Sequence, residues 1–189
     1  MPAFLVSNKY GTGGVRVPFF FPSAVCNRVT DITEELLRGL GAEALLLDVD
    51  NTLAPDGSQE PFPGTVEWTY QIRRAGFKIL ILSNNFKDRV EPFARQYGLP
   101  YLSVAMKPLP AGYLLAAGRL KTERKKTVVV GDQIFTDIIG ANLAGMKSIL
   151  LTPAQEESSV SFKIRRALER PVRRRLGLRS GRENQSGGG

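Results

Sequence analysis

The chain reads as an α/β protein built on one parallel sheet with helices on both faces, and three observations predict this. Apolar runs too short for helices alternate with segments of helical periodicity between residues 33 and 151. The runs 44–47, 79–82 and 128–130 are apolar throughout, as strands covered on both faces require, and each ends in polar residues. Gly76, Gly98 and Gly145 stand just past three helical segments, where left-handed C-terminal turns favour glycine.

The elements follow in order. The glycine-rich stretch 11–14 is too irregular for a phosphate-binding fingerprint. Residues 33–41 form a short helix with Asp31 or Thr33 near its cap, and the first core strand follows directly. A helix near 65–75, strand 78–82, helix 87–97, a short strand near 101–103 and helix 111–120 come next. Strand 127–130, helix 134–144 and strand 148–151 complete the series. Short connections between strands and helices imply right-handed crossovers in one sheet. At 189 residues the chain holds one well-buried domain with extensions. The divisions expected are an N-terminal extension (1–20), the main domain (21–157), a basic amphipathic segment (158–182) and a disordered tail (183–189).

Composition excludes several chemistries. There is no histidine, which removes His-based general bases, Ser-His-Asp triads, phosphohistidine and His-ligated zinc. Carboxylates and lysine must carry any catalysis. The single cysteine, Cys26, allows no internal disulfide, and Ile32 stands where a cysteine-dependent phosphatase loop needs arginine. A reducing cytosol fits, with Cys26 as a packed side chain. No run offers the ~18 apolar residues of a spanning helix, and the Phe19-Phe20-Phe21 patch lacks the features of a signal peptide. Net charge is +8, and residues 163–182 account for it, leaving the rest neutral. That concentration points to a polyanionic partner, membrane or nucleic acid, against the simpler reading of a solvated tail.

Asp48 and Asp50 flank Val49 at the tip of the first core strand, the edge where open α/β sheets keep their chemistry. Alternate residues of an extended chain share a face, so both acids reach one centre only if the chain turns at once, and Asn51-Thr52 suits that turn. Such a pair can combine a nucleophilic carboxylate with a proton carrier, or hold a hard cation. A solvated strand end is the plainer reading of the pair alone. Three later positions join them at the same edge: Ser83-Asn84-Asn85, Lys107-Pro108 and Gly131-Asp132-Gln133. Each alone is ordinary turn chemistry. Four such loops in order are not.

The ordered set Asp48-Val49-Asp50-Asn51-Thr52, Ser83, Lys107 and Gly131-Asp132-Gln133-Ile134-Phe135-Thr136-Asp137 resembles the haloacid dehalogenase superfamily of phosphatases over residues 44–152. The resemblance implies a Rossmann-like core and phosphomonoester hydrolysis with Mg²⁺ as cofactor. Asp48 is then the nucleophile and a metal ligand, forming an aspartyl-phosphate. Asp50 supplies a backbone carbonyl to the metal and a side chain that protonates the leaving oxygen and later activates water. Asp132 completes the protein ligands, an oxygen set that suits Mg²⁺. Ser83 and Asn84 hydrogen-bond the phosphoryl oxygens, Lys107 balances charge, and Asp137 stands behind them or serves as an N-terminal helix acid. The connections leave room only for a flap at 54–63, so the expectation is a capless enzyme with an open site, unless another subunit covers it. Oligomerisation is left open.

Residues 21–37 and the 131–137 motif are also similar to a YqeG-like family, itself similar to phosphatidylglycerophosphate phosphatases. This implies an anionic lipid headgroup as a candidate substrate and peripheral contact with an anionic membrane, on the inner surface for a cytoplasmic protein. The stripe Ile164, Leu168, Val172, Leu176 among arginines suits such contact, or packing on the domain. Nucleic acid is disfavoured, because the tail lacks aromatics for base stacking beyond Phe162. Another soluble phosphate remains an alternative substrate. A non-catalytic receiver-like phospho-aspartate module is the rival from another class, and Asp50 argues against it, since a receiver needs no proton carrier there.

Overall fold

The computed structural model describes residues 4–5 and 18–152. The chain divides into two units, Met1–Ala154 and Gln155–Gly189. The second unit, and with it the basic segment and the tail, lies outside the described residues.

Seven strands form one sheet in the order β1-β2-β7-β6-β3-β4-β5. They are β1 (Phe4–Leu5), β2 (Ala24–Cys26), β3 (Ala44–Leu47), β4 (Lys78–Leu82), β5 (Tyr101–Leu102), β6 (Thr127–Gly131) and β7 (Lys147–Leu151). Only β1 runs antiparallel, against β2; the other six are parallel. The helices are α1 (Glu34–Gly39), α2 (Thr65–Arg74), α3 (Lys87–Tyr97), α4 (Pro110–Arg119) and α5 (Ile139–Leu143).

Period-two alternation sorts the sheet into two cores. Leu45, Leu47, Ile79, Ile81, Val128 and Val130 face one layer with Trp68 and Ile72 of α2, Phe93 and Tyr97 of α3, and Leu37 of α1. Leu46, Leu80, Leu82 and Val129 face the other, with Tyr113 and Ala116 of α4 and Ala141 of α5. The sheet is thus covered on both sides. The connection leaving β3 runs through α2 on the first face, and that leaving β6 runs through α5 on the second. The gap between the C-terminal ends of β3 and β6 is therefore the topological switch point, where α/β sheets open a crevice.

Most elements fall where the sequence puts them. Thr33 caps α1, its Oγ1 accepting from the Leu36 amide at 3.2 Å. Gly76, Gly98 and Gly145 all have positive φ at helix ends. Two differences stand out. The sequence gives no warning of β1 and β2, two short strands that extend the sheet beside β7. The helix expected at 134–144 is a π turn, Ile134–Ile138, followed by the short α5. Cys26 is buried, and burial, helped by Asp31, pushes its thiol up to about 12.

Candidate active site

Asp48 is the first residue past β3, and its amide donates to the Val130 carbonyl at 3.0 Å, extending the ladder with β6 by one bond. Immediately afterwards the chain reverses. Asn51 adopts a left-handed φ of 55°, and the amides of Thr52, Leu53 and Ala54 all converge on the Val49 carbonyl. The turn that the sequence requires after Asp48 is present.

The Asp48 carboxylate is buried, with Oδ1 2.7 Å from Lys107 Nζ. The same ammonium donates to Asp137 Oδ1 at 2.7 Å. Asp137 Oδ2 accepts from the Gln133 amide at 3.2 Å. The π turn makes this posture possible, because its wider ring folds Asp137 back over Gly131, where an added Cβ would meet Asp137 Oδ2 at 2.2 Å. Carboxylate oxygens of Asp48, Asp132 and Asp137 lie within 4.8 Å of one another, and all three residues are buried.

Burial pushes the Asp48 carboxyl up to about 7; the Asp137 and Asp50 charges add to this and Lys107 opposes it. Burial works against the Lys107 ammonium too, but Asp137 and Asp48 outweigh it and hold its pKa above the ordinary lysine value. Three buried carboxylates gather beside one buried ammonium. The donor set is all hard oxygen. These residues fit a divalent cation such as Mg²⁺ in charge and chemistry, with Asp48, Asp132 and Asp137 as side chains able to hold it.

Ser83, at the end of β4, is buried, and its Oγ accepts from the Asn85 amide at 3.1 Å. Asn84 has a role that the sequence does not announce. Its Oδ1 accepts from the Lys107 amide at 2.7 Å and its Nδ2 donates to the Lys107 carbonyl at 3.1 Å, clamping the lysine loop. Asp50 stands outside the buried cluster. Its Oδ2 accepts from Asn85 Nδ2 at 2.7 Å, and its Oδ1 accepts from the Gly57 amide at 3.2 Å and pairs with Arg89. The sequence marks Asn85 only as part of the Ser83-Asn84-Asn85 loop and gives no sign of Arg89, since an arginine in a helix's first turn carries no periodic signal.

The flap at 54–63 is tied to α3 twice. Gln59 Nε2 donates to the Arg89 carbonyl at 3.0 Å, and Gln96 Nε2 donates to the Gln59 carbonyl at 2.9 Å. Among the described residues no cap domain intervenes between the strands. A cleft of about 530 Å³ opens beside the turn, lined by Arg28, Thr30, Asn51, Thr52 and Phe62 among others.

A parallel sheet whose switch point holds a buried carboxylate cluster around a lysine defines a class of hydrolase. The chain belongs to the haloacid dehalogenase-like hydrolases, whose family model matches residues 27–145, and it is a phosphomonoester hydrolase of that family. It is 30% identical over 154 residues to the probable phosphatase YqeG of Bacillus subtilis (strain 168), covering 82% of this chain and 90% of that one. A glyceraldehyde 3-phosphate phosphatase of Methanopyrus kandleri is 27% identical over 99 residues, covering 48% of this chain and 42% of that protein. NagD from E. coli K-12 shares the fold, with a TM-score of 0.51 at 14% identity over 64% of this chain and 91% of that one. No described helix is long and apolar enough to cross a membrane.

Proposed function

We propose that this phosphatase is Mg²⁺-dependent, works through an aspartyl-phosphate on Asp48, and acts on a lipid phosphate, phosphatidylglycerophosphate. The observation that carries the mechanism is the buried Asp48–Lys107–Asp137 chain, with contacts of 2.7 Å on both sides of the ammonium, beside Asp132. Asp48 attacks the phosphorus in line and the ester oxygen departs. Lys107 fixes the attacking carboxylate and neutralises charge that would repel a phosphate dianion. Asp50, held at the rim by Asn85, Gly57 and Arg89, gives a proton to the leaving oxygen and then takes one from the water that cleaves the acyl phosphate. Ser83 and the backbone amide of Asn84 bind the phosphoryl oxygens, while the Asn84 side chain keeps Lys107 in register. When bound at Asp48 and Asp132, with the Asp50 carbonyl, Mg²⁺ would supply charge neutralisation and fix the phosphoryl group for attack.

The lipid assignment is supported by the likeness to a YqeG protein and by an open site that admits a bulky ester. Peripheral contact of a cytoplasmic protein with an anionic membrane is part of the same reading, and the division into a catalytic domain and a basic C-terminal segment accompanies it. The test is phosphate release from phosphatidylglycerophosphate in vesicles, from sugar phosphates and from polynucleotide phosphates, with Mg²⁺ and with excess chelator. Wild type should release phosphate from the lipid only with the metal, and Asp48→Asn should abolish turnover and trapped acyl phosphate while keeping its fold. Normal hydrolysis by a folded Asp48→Asn protein would sink the mechanism, and efficient turnover of soluble phosphates alone would sink the lipid assignment.

A further inference from the structure

Arg89 stands at the third position of α3, where helix physics gives no reason for a cation. The first turn of a helix carries partial positive charge and favours acids, and a capping box would place Glu or Gln at this position. The side chain nevertheless turns away from solvent, 27% exposed, to meet the Asp50 side chain, itself 15% exposed. Lys87, the other cation of that turn, is 66% exposed and reaches Glu91 one turn on, as a solvated helix face would have it. Arg89 leaves that pattern for one contact, 39 residues away in the chain.

Three separate segments hold the Asp50 carboxylate, and they divide its oxygens unequally. Oδ1 accepts from the Gly57 amide in the flap at 3.2 Å and from Arg89 Nη2. Oδ2 accepts from Asn85 Nδ2, on the loop after β4, at 2.7 Å. A carboxylate oxygen offers two lone-pair sites. Among the described residues, Oδ1 therefore has both filled, whereas Oδ2 keeps one. The carbonyl oxygen of a carboxylic acid still accepts hydrogen bonds, so the two donors can stay on Oδ1 while a proton comes and goes at Oδ2. Arg89 also ties this carboxylate to the flap. Its backbone carbonyl accepts from Gln59 Nε2 at 3.0 Å, and its Nη1 lies 4.0 Å from where a Cβ on Gly57 would stand.

We infer that Arg89 is a positioning residue for the proton transfers: with Gly57 it occupies Oδ1 of Asp50, so that Oδ2 alone exchanges the proton. In the first step the proton leaves Oδ2 for the ester oxygen as the bond between that oxygen and phosphorus breaks. In the second, the oxygen of water bonds to phosphorus, its proton passes to Oδ2, and the bond from phosphorus to the Asp48 oxygen breaks. Arg89 acts in both steps through Asp50, by fixing which oxygen faces the reacting atoms. The inference rests on the reading of Asp50 as the proton carrier, proposed above.

The test uses the full chain with Mg²⁺ and four variants: Arg89→Met, Arg89→Lys, Asp50→Asn, and Asp50→Asn combined with Arg89→Met. Methionine keeps an unbranched stem without the donor; lysine keeps a cation that can donate to Oδ1. Circular dichroism and thermal unfolding check each fold, and kcat and KM are measured on p-nitrophenyl phosphate and glycerol 3-phosphate. Arg89→Met should lower kcat ~10–10²-fold, the scale of a catalytic group misplaced by up to 1 Å, with KM unchanged and the larger loss on the alkyl ester. Arg89→Lys should recover part of that loss. In the Asp50→Asn background, Arg89→Met should cost nothing further, because the side chain that it orients no longer carries a proton. Losses that multiply in the double variant, a raised KM with kcat intact, or full activity in folded Arg89→Met would each overturn the positioning role. Asp50→Asn with normal turnover would remove the proton carrier, and the inference with it; that failure is read from a different variant than the failure of Arg89 alone.

Discussion

Asp48 and Asp50 are two residues apart yet meet opposite surroundings. Asp48 lies among buried charges, while Asp50 sits at the rim, shared by Asn85, Gly57 and Arg89. Asp50→Asn keeps the backbone and much of the hydrogen bonding but removes the proton carrier, so turnover should fall ~10²–10⁴-fold. The loss should be larger for alkyl phosphates than for nitrophenyl phosphate, whose leaving group needs no proton. Steady-state kinetics on both substrates checks this, and equal losses would show that Asp50 is not the acid. The gathering of the acidic pair, the lysine and Asp132 at one sheet edge was legible in the sequence because strand ends and motif order place them there. The arginine beside Asp50 and the clamp by Asn84 were not, since both depend on contacts across 39 and 23 residues respectively.

At the scale of elements, strand and helix positions followed from apolar periodicity, and helix ends followed from glycine. The π turn was invisible because its five residues, Ile134–Ile138, fit a helical pattern as well as an α-helix would. Also illegible was the close approach of α4 to the lysine loop. A Cβ on Gly112 would stand 2.1 Å from the Ala105 carbonyl oxygen, two residues before Lys107. Gly112→Ala must therefore push α4 and that loop apart. Overpacking of this kind costs about 1–3 kcal/mol, and here the shift also moves Lys107. Thermal unfolding and kcat should fall together, whereas a drop in stability with kcat intact would show that the loop absorbs the strain without moving the lysine.

For the whole molecule, the buried carboxylate cluster at the sheet's edge ties stability to metal and pH. The Asp48 carboxyl rises from 3.8 to about 7, chiefly through burial, so between these pH values the folded chain holds a proton that the unfolded chain has lost. Metal-free stability should then fall as pH rises through that window. Mg²⁺ should reverse the fall, adding ~2.7 kcal/mol at a hundred times its Kd, with a larger Tm shift at pH 8 than at pH 5. Asp132→Asn should shrink that shift. Equal Tm with and without Mg²⁺ at pH 8 would separate the acidic cluster from metal binding.

The strand that leads into Asp48 lies inside the sheet, paired residue for residue with β4 on one side and β6 on the other, and every residue of it is buried. The outermost strands are only two residues long. Opening the molecule from its edges must therefore strip β1 and β5 long before it reaches β3. Amide hydrogen exchange should be slowest at Leu45, Leu46 and Leu47, approaching the rate set by global unfolding, and fast in the flap and the loop before Lys107. The nucleophile thus rides on the last part to loosen. A partly frayed molecule would lose its grip on substrate while its attacking carboxylate is still held in place.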